Sequence, residues 1–321
     1  MLSIGKLWKT YGNYCALSGL DMEVSQGAVY GFVGPNGAGK TTTIRIMVGL
    51  LCPDSGSVVI DGIDAVKSPD QLKEKIGYVP DFFGVYDNLK VREYMDFFAS
   101  CYDLTGLKAR KRNQLLLAQV GLEEKEDFYV DGLSRGMKQR LCLARALIHD
   151  PKLLIMDEPS AGLDPRTRLE FRETIKELKE QGKTILISSH LLGDLAELCT
   201  NIGVIDRGKM VLNGSMDEIV SRVYTSRPLI ITVQGGMETA LRLLKAHDLV
   251  RTISIKDQEI MVGYNGNAQA ECELLANLVE AGVFIRGFIR EPGNLETVFM
   301  QITNHEKEGV VLSYEDHEPD L

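Results

Sequence analysis

The nine residues Gly34-Pro35-Asn36-Gly37-Ala38-Gly39-Lys40-Thr41-Thr42 do more than any others to limit what this chain can fold into. They satisfy G-x-x-x-x-G-K-[ST] in full. Glycines let backbone N–H groups turn inward on phosphate oxygens, where a Cβ would obstruct them. Lys40 supplies a point charge for the β- and γ-phosphates, and the Thr41 hydroxyl suits Mg²⁺. Such a loop needs a strand before it and a helix after it, and the flanks provide both. VYGFVG, Val29 to Gly34, predicts a buried strand, and a helix is predicted onward through Leu51. That helix aims its positive end at the same anion. A nucleoside triphosphate is therefore the expected ligand.

The rest of the first 220 residues alternates in the same way. GSVVIDG, IGYVP, KLLIMD (Lys152 to Asp157) and KTILISS (Lys183 to Ser189) are short, apolar and rich in branched residues, which predicts strands. Interleaved with helical stretches, they predict an α/β domain whose sheet is covered on both faces. From about 86 to 150 the pattern is mainly helical, with MDFFASCY and RNQLLLAQVGL as the clearest amphipathic parts, and predicts a subdomain inserted between strands. A boundary is expected at Ser226-Arg227-Pro228. Beyond it, residues 228–304 read strand, helix, two strands, helix, strand, and the order βαββαβ suggests a small ferredoxin-like α+β unit. NLETVFMQIT then predicts a last amphipathic helix.

Charge separates the end of the chain from the rest. Of a net −9, the stretch from Glu306 to Leu321 carries −5, six acidic side chains against Lys307. Residues 305–321 are expected to be a disordered, solvated tail. KARKR, Lys108 to Arg112, is the one dense basic run and reads as a solvated helix face, so nucleic acid is not an expected partner. No apolar run is long enough to span a bilayer, and MLSIGKLWKTYGN lacks the apolar core of a signal peptide. The six scattered cysteines form no CxxC pair and read as reduced core thiols of a cytoplasmic protein.

LLIMDEPSAGLD places Asp157 and Glu158 at the end of an apolar strand. In a parallel sheet that end opens onto the ligand crevice. Asp157 suits Mg²⁺ held through water. Glu158 suits orienting or deprotonating an attacking water, which makes hydrolysis the expected reaction.

Just upstream lies LSRGMKQRLCLARAL, Leu133 to Leu147. With the phosphate loop, the Asp-Glu pair, SAGLD and the later SSH, it resembles the nucleotide-binding subunit of the ATP-binding-cassette family, over roughly residues 1–220 and with the motifs in family order. It is similar above all to the ATPases of two-component exporters, whose membrane part is a separate chain. The resemblance implies a P-loop NTPase-type core in an ATP-binding domain of residues 1–222, with ATP and Mg²⁺ as cofactors. Tyr11 then matches the aromatic that stacks on adenine, with Trp8 close by. Ser134 and Gly136 match residues that contact the γ-phosphate of ATP held by the opposite subunit. Asp164 matches the loop that communicates across the dimer, and His190 matches a switch histidine at the γ-phosphate. A helix start bearing serine and glycine offers unblocked donors to an anion, which agrees with the signature assignment.

Two departures from the family pattern stand out. Arg135 and Met137 replace the usual glycine and glutamine of the signature. Asp81 stands where the family usually has glutamine and this branch often glutamate; it is expected to reach Mg²⁺ through water. Phe82, Phe83 and Tyr86 follow at the place where the family receives its membrane subunit. The function expected is that of an ATP-hydrolysing motor, a homodimer or paralogous heterodimer around two ATP, on the cytoplasmic face of a membrane beside a permease. The alternative is a soluble cassette ATPase of DNA repair, translation or cluster assembly. Residues 228–304 carry no cluster of convergent polar side chains, so a dimer-contact or regulatory role is expected there.

Overall fold

Every residue of β3 (Val29–Val33), β7 (Leu153–Met156) and β8 (Thr184–Ser189) is buried. Strands covered on both faces must be apolar almost throughout, which is why these runs show little alternation. In the computed structural model, which describes residues 1–81, 84, 88–191, 193, 195, 197–219 and 227–290, they join β6 (Ile76–Val79), β9 (Asn201–Asp206) and β10 (Lys209–Ser215). The sheet order is β10-β9-β3-β8-β7-β6, parallel except where β10 runs against β9. Contacts divide the chain into two units, Met1–Met216 and Asp217–Leu321.

The first unit also holds an antiparallel sheet, β2-β1-β4-β5, built from β1 (Leu2–Tyr11), β2 (Tyr14–Val24), β4 (Ser55–Ile60) and β5 (Ile63–Asp64). One core joins the two sheets: Leu7, Leu17 and Leu20 pack with Phe32, Ile155 and Leu186, and with Ile44 and Met47 of α1 (Lys40–Met47). This helix stops short of the predicted Leu51 because Gly49 takes a left-handed conformation (φ 72°) that turns the chain out of the helix.

A short α2 (Pro69–Lys73) precedes β6, and between β6 and β7 lie α3 (Val91–Ser100), α4 (Gly106–Gln119) and α5 (Arg135–Ala146). Within KARKR, Lys108, Arg110 and Lys111 face solvent, but Arg112 does not fit a purely solvated face. Its guanidinium donates to the carbonyls of Leu147 (2.7 Å) and Ile148 (3.2 Å), just past the end of α5. After β7 comes α6 (Pro165–Glu180), with Asp164 as its N-cap. The cysteine reading also needs correction: Cys142 and Cys199 are buried, while Cys15, Cys52, Cys101 and Cys272 lie at the surface.

In the second unit, β11 (Pro228–Gly235), α7 (Met237–Lys245), β12 (Val250–Lys256), β13 (Glu259–Tyr264), α8 (Ala268–Glu280) and β14 (Phe284–Arg290) follow in the order read from the sequence. The strands form an antiparallel sheet of order β12-β13-β11-β14. Alternate residues of β11 and β13 (Leu229, Ile231, Ile260, Val262, Tyr264) meet Leu244, Leu274 and Leu278 in a separate core. At its edge the buried Arg290 guanidinium pairs with Glu271 at 2.6 Å and donates to the Tyr264 carbonyl at 2.8 Å. Removing one partner of a buried pair strands the other charge, so Glu271→Ala is expected to destabilise this unit by about 3 kcal/mol, read by urea unfolding of the full chain.

No helix among the described residues is long and apolar enough to cross a membrane. Phe82, Phe83, Tyr86, Ser226, the NLETVFMQIT helix and the acidic tail all fall outside the described residues.

Candidate active site

Because β3, β7 and β8 run parallel and in register, their carboxyl ends emerge side by side. Val33 pairs with Ser189 and Met156 with Ile187, so the loop from Gly34, the Asp157-Glu158 pair and His190 all leave the same edge. The six-stranded sheet thus gathers residues far apart in sequence into one crevice.

Around the phosphate loop, glycine is required for two separate reasons. Gly39 adopts φ 113°, and a Cβ there would come within 2.7 Å of the Ala16 carbonyl. A Cβ on Gly34 would strike the Ile205 carbonyl. Lys40, only 6% exposed, turns its ammonium back onto the carbonyls of Gly34 (2.6 Å) and Pro35 (3.3 Å). Gly34, Ala38 and Gly39 are buried, whereas Asn36 and Gly37 face solvent, and Pro35, Thr41 and Thr42 are half-buried. The first N–H groups of α1, from Lys40 onward, have no carbonyl within the helix to bind. A charged ammonium, a left-handed glycine turn and free helix-start donors together fit a polyphosphate.

Asp157 is fully buried, and its Oδ1 accepts the Ser188 hydroxyl at 2.6 Å. Its Oδ2 accepts no hydrogen bond. Burial pushes the carboxyl above the usual carboxylate range; the Ser188 hydroxyl and the Thr41 side chain oppose that shift, and the charges of Asp81 and Glu158 add to it. An uncommitted carboxylate oxygen beside a threonine side chain fits a hard divalent cation. Glu158 follows in a left-handed conformation, φ 48°, rare for a residue with a long side chain. Its Oε2 lies 2.7 Å from Nδ1 of His190 and its Oε1 faces the Lys40 ammonium at 3.2 Å, an ion pair without hydrogen-bond alignment. Since a carboxylate only accepts, Nδ1 carries the histidine proton.

The signature residues lie at the start of α5, and they meet their own helix, the first turn of α6 and the segment leading into it. Ser134 caps α5 by accepting the Met137 N–H (3.3 Å). Gly136 has a packing reason beyond unblocked donors: a Cβ would come within 2.5 Å of Thr167 Cγ2. Arg135 lays its guanidinium over Gly162 of SAGLD, 2.7 Å from where a Cβ would project. Asp164 accepts from the N–H groups of Arg166 and Thr167 and from the Thr167 hydroxyl, which holds its carboxyl below the usual range. The signature and Asp164 loops are thus packed together through Arg135, Gly136 and Thr167.

Tyr11 stands exposed at the end of β1, paired across the hairpin with Tyr14. Trp8 packs against Gly19 instead. The sequence reading missed Tyr14, whose hydroxyl donates to the Gly37 carbonyl at 2.8 Å and so touches the phosphate loop directly. It also missed Ser188. Asp81 is exposed beyond β6, close enough for its charge to act on Asp157 and Tyr78.

Comparison with known proteins decides what this crevice belongs to. The ABC transporter family model matches residues 17–161. The linearmycin resistance ATP-binding protein LnrL of Bacillus subtilis is 33% identical over 305 residues, covering 94% of this chain and 98% of that protein. The chain belongs to the ABC transporter family. Nod factor export ATP-binding protein I of Ralstonia nicotianae is 34% identical over 308 residues, 95% of this chain and 94% of that one. Among solved structures, an ATP-binding subunit of an ABC transporter has a TM-score of 0.63 at 29% identity, covering 70% of this chain and 93% of its own. A dimeric, post-hydrolysis ATP-binding cassette holding ADP and phosphate has a TM-score of 0.62 at 27% identity, over 67% of this chain and 99% of its own. This ABC subunit is an ATPase, the ATP-driven motor part of a transporter, and its mixed α/β core is that of the cassette.

Proposed function

We propose that two copies of this subunit, or one copy and a paralogue, bind head to tail around two ATP molecules and drive export through a separate membrane permease. The observation that carries this reading is the division of labour within one chain. Lys40 reaches Glu158, and Glu158 reaches His190, whereas Ser134 and Gly136 close against Met137 and Thr167. Each chain therefore offers a cradle for one nucleotide and a signature helix for another.

In this reading Tyr11 stacks on adenine, with Tyr14 supporting the loop beneath the phosphates. Backbone N–H groups of residues 34–42 and the Lys40 ammonium hold the β- and γ-phosphates. Thr41 and Asp157 would hold Mg²⁺, with Asp81 reaching it through water, and the ion when bound would supply positive charge against the phosphates. Glu158 orients a water and takes its proton as the oxygen attacks the γ-phosphorus. The bond to the β–γ bridging oxygen breaks, giving ADP and phosphate. His190 keeps the Glu158 carboxylate aimed and stands at the γ-phosphate, while Asp164 passes the state of one site to the other.

Export and a membrane partner are supported by the resistance and export roles in the relatives' names. A groove of about 910 Å³ on the first unit, lined by Lys73, Phe98, Tyr102, Arg112, His149 and Asp150, supports this reading as a concave surface that a permease segment could occupy. Tyr102 and His149 stack there at 4.0 Å and stiffen its wall. The subunit would sit on the cytoplasmic face of the membrane through that contact, with residues 228–304 as an accessory domain. Isolation of the full chain from native membranes in mild detergent is expected to bring down one polytopic membrane chain in stoichiometric amount. Recovery of soluble partners alone would overturn the transport reading.

A further inference from the structure

Three contacts hold Glu158, and one of them acts on its main chain. Oε2 meets His190 and Oε1 faces Lys40, but the Glu158 N–H donates to the Ser188 hydroxyl at 2.9 Å. The same hydroxyl donates its one hydrogen to Asp157 Oδ1 at 2.6 Å. A hydroxyl has a single proton and two lone pairs. Once Asp157 takes the proton, a lone pair is left to receive the Glu158 amide, so the two contacts fix each other's direction. Register explains the placement: Ser188 pairs with Phe32 on one side and lies one residue beyond the Ile187–Met156 pair on the other, level with Asp157. It is completely buried, where an unpaired amide or carboxylate oxygen finds no water.

We propose that Ser188 is a positioning residue for ATP hydrolysis, whose hydroxyl locks Glu158 in its left-handed conformation and so sets where the Glu158 carboxylate points. This rests on the reading of Glu158 as the residue that orients the attacking water. A left-handed glutamate is a strained state that persists only where its surroundings over-determine it. Ser188 supplies that determination through the backbone, independently of nucleotide. An aliphatic residue there would keep the strand and its burial while leaving both the Glu158 amide and Asp157 Oδ1 without this partner.

The test uses the full chain as wild type, Ser188→Ala, Ser188→Thr, Glu158→Gln and the Ser188→Ala/Glu158→Gln double variant, measuring kcat, KM, ATP affinity and melting temperature. Misplacing a catalytic group by an ångström can lower turnover by about 100-fold, so Ser188→Ala is expected to lower kcat ~10- to 100-fold while KM and ATP affinity move by less than ~3-fold. Ser188→Thr, which keeps the hydroxyl, should recover kcat to within about 3-fold of wild type, and the double variant should be no slower than Glu158→Gln alone. Wild-type kcat in Ser188→Ala, multiplied losses in the double variant, or an equal loss in a well-folded Ser188→Thr would each overturn the proposal. Should Ser188→Ala not fold, Ser188→Cys takes its place; a thiol is a weak hydrogen-bonding group, so kcat should fall ~10-fold with ATP affinity kept, and wild-type kcat would overturn the proposal. If Glu158→Gln itself turns over like wild type, the reading of Glu158 fails; if only Ser188→Ala does, the positioning role alone fails.

Discussion

Glu158→Gln is expected to lower ATP turnover by about 10²- to 10⁴-fold while ATP affinity stays within a few-fold of wild type. The amide is nearly isosteric with the carboxylate, and its oxygen can still accept from His190 Nδ1, now 2.7 Å from Oε2. The main chain at position 158 keeps its N–H bond to Ser188, so the loop geometry survives. What disappears is the negative charge and with it the ability to take a proton from water. The phosphate loop is untouched, which is why binding and turnover should separate. Steady-state turnover together with nucleotide titration reads both quantities; turnover within a few-fold of wild type would remove Glu158 from the mechanism.

Lys40→Ala is expected to act on both quantities at once, lowering turnover by about 10²- to 10³-fold and weakening ATP binding. Without nucleotide, the Lys40 ammonium is satisfied inside the protein by the Gly34 and Pro35 carbonyls and by Glu158 at 3.2 Å. In the proposed mechanism an arriving triphosphate would take over that ammonium and leave Glu158 to its water and to His190. The alanine variant loses the phosphate's fixed positive charge and the ammonium's hydrogen bonds to the Gly34 and Pro35 carbonyls, Pro35 keeping only the Ala38 N–H. Calorimetric titration with ATP and a phosphate-release assay check the two halves. Unchanged ATPase activity would show that the cradle is not where ATP is held.

Legibility in the sequence followed how local each feature is. The phosphate loop could be read because its parts are consecutive. The strands β3, β7 and β8 could be read because burial on both faces leaves them uniformly apolar. β1 and β2 went unread because they belong to a half-solvated antiparallel sheet, where Leu2, Ile4 and Leu7 are separated by exposed or half-buried residues. Arg112 looked like one more surface charge, since the carbonyls it caps lie 35 and 36 residues further on. Ser188 reads only as part of the predicted strand KTILISS, and the carboxylate it binds is 31 positions away. In each case the missing information was a tertiary partner, and local patterning carries no trace of one. The SSH stretch drew notice for its histidine, yet the structure gives its first serine the closer hold on the carboxylate pair.

The most direct measurement of the central claim, that each ATP site is completed by a second subunit, is the solution mass of Glu158→Gln by size-exclusion chromatography with light scattering, with and without Mg-ATP. The variant should bind ATP without consuming it and so hold the sandwich closed. The expected mass is that of one chain without nucleotide and of two chains with Mg-ATP. A single-chain mass under both conditions, with ATP bound, would contradict it.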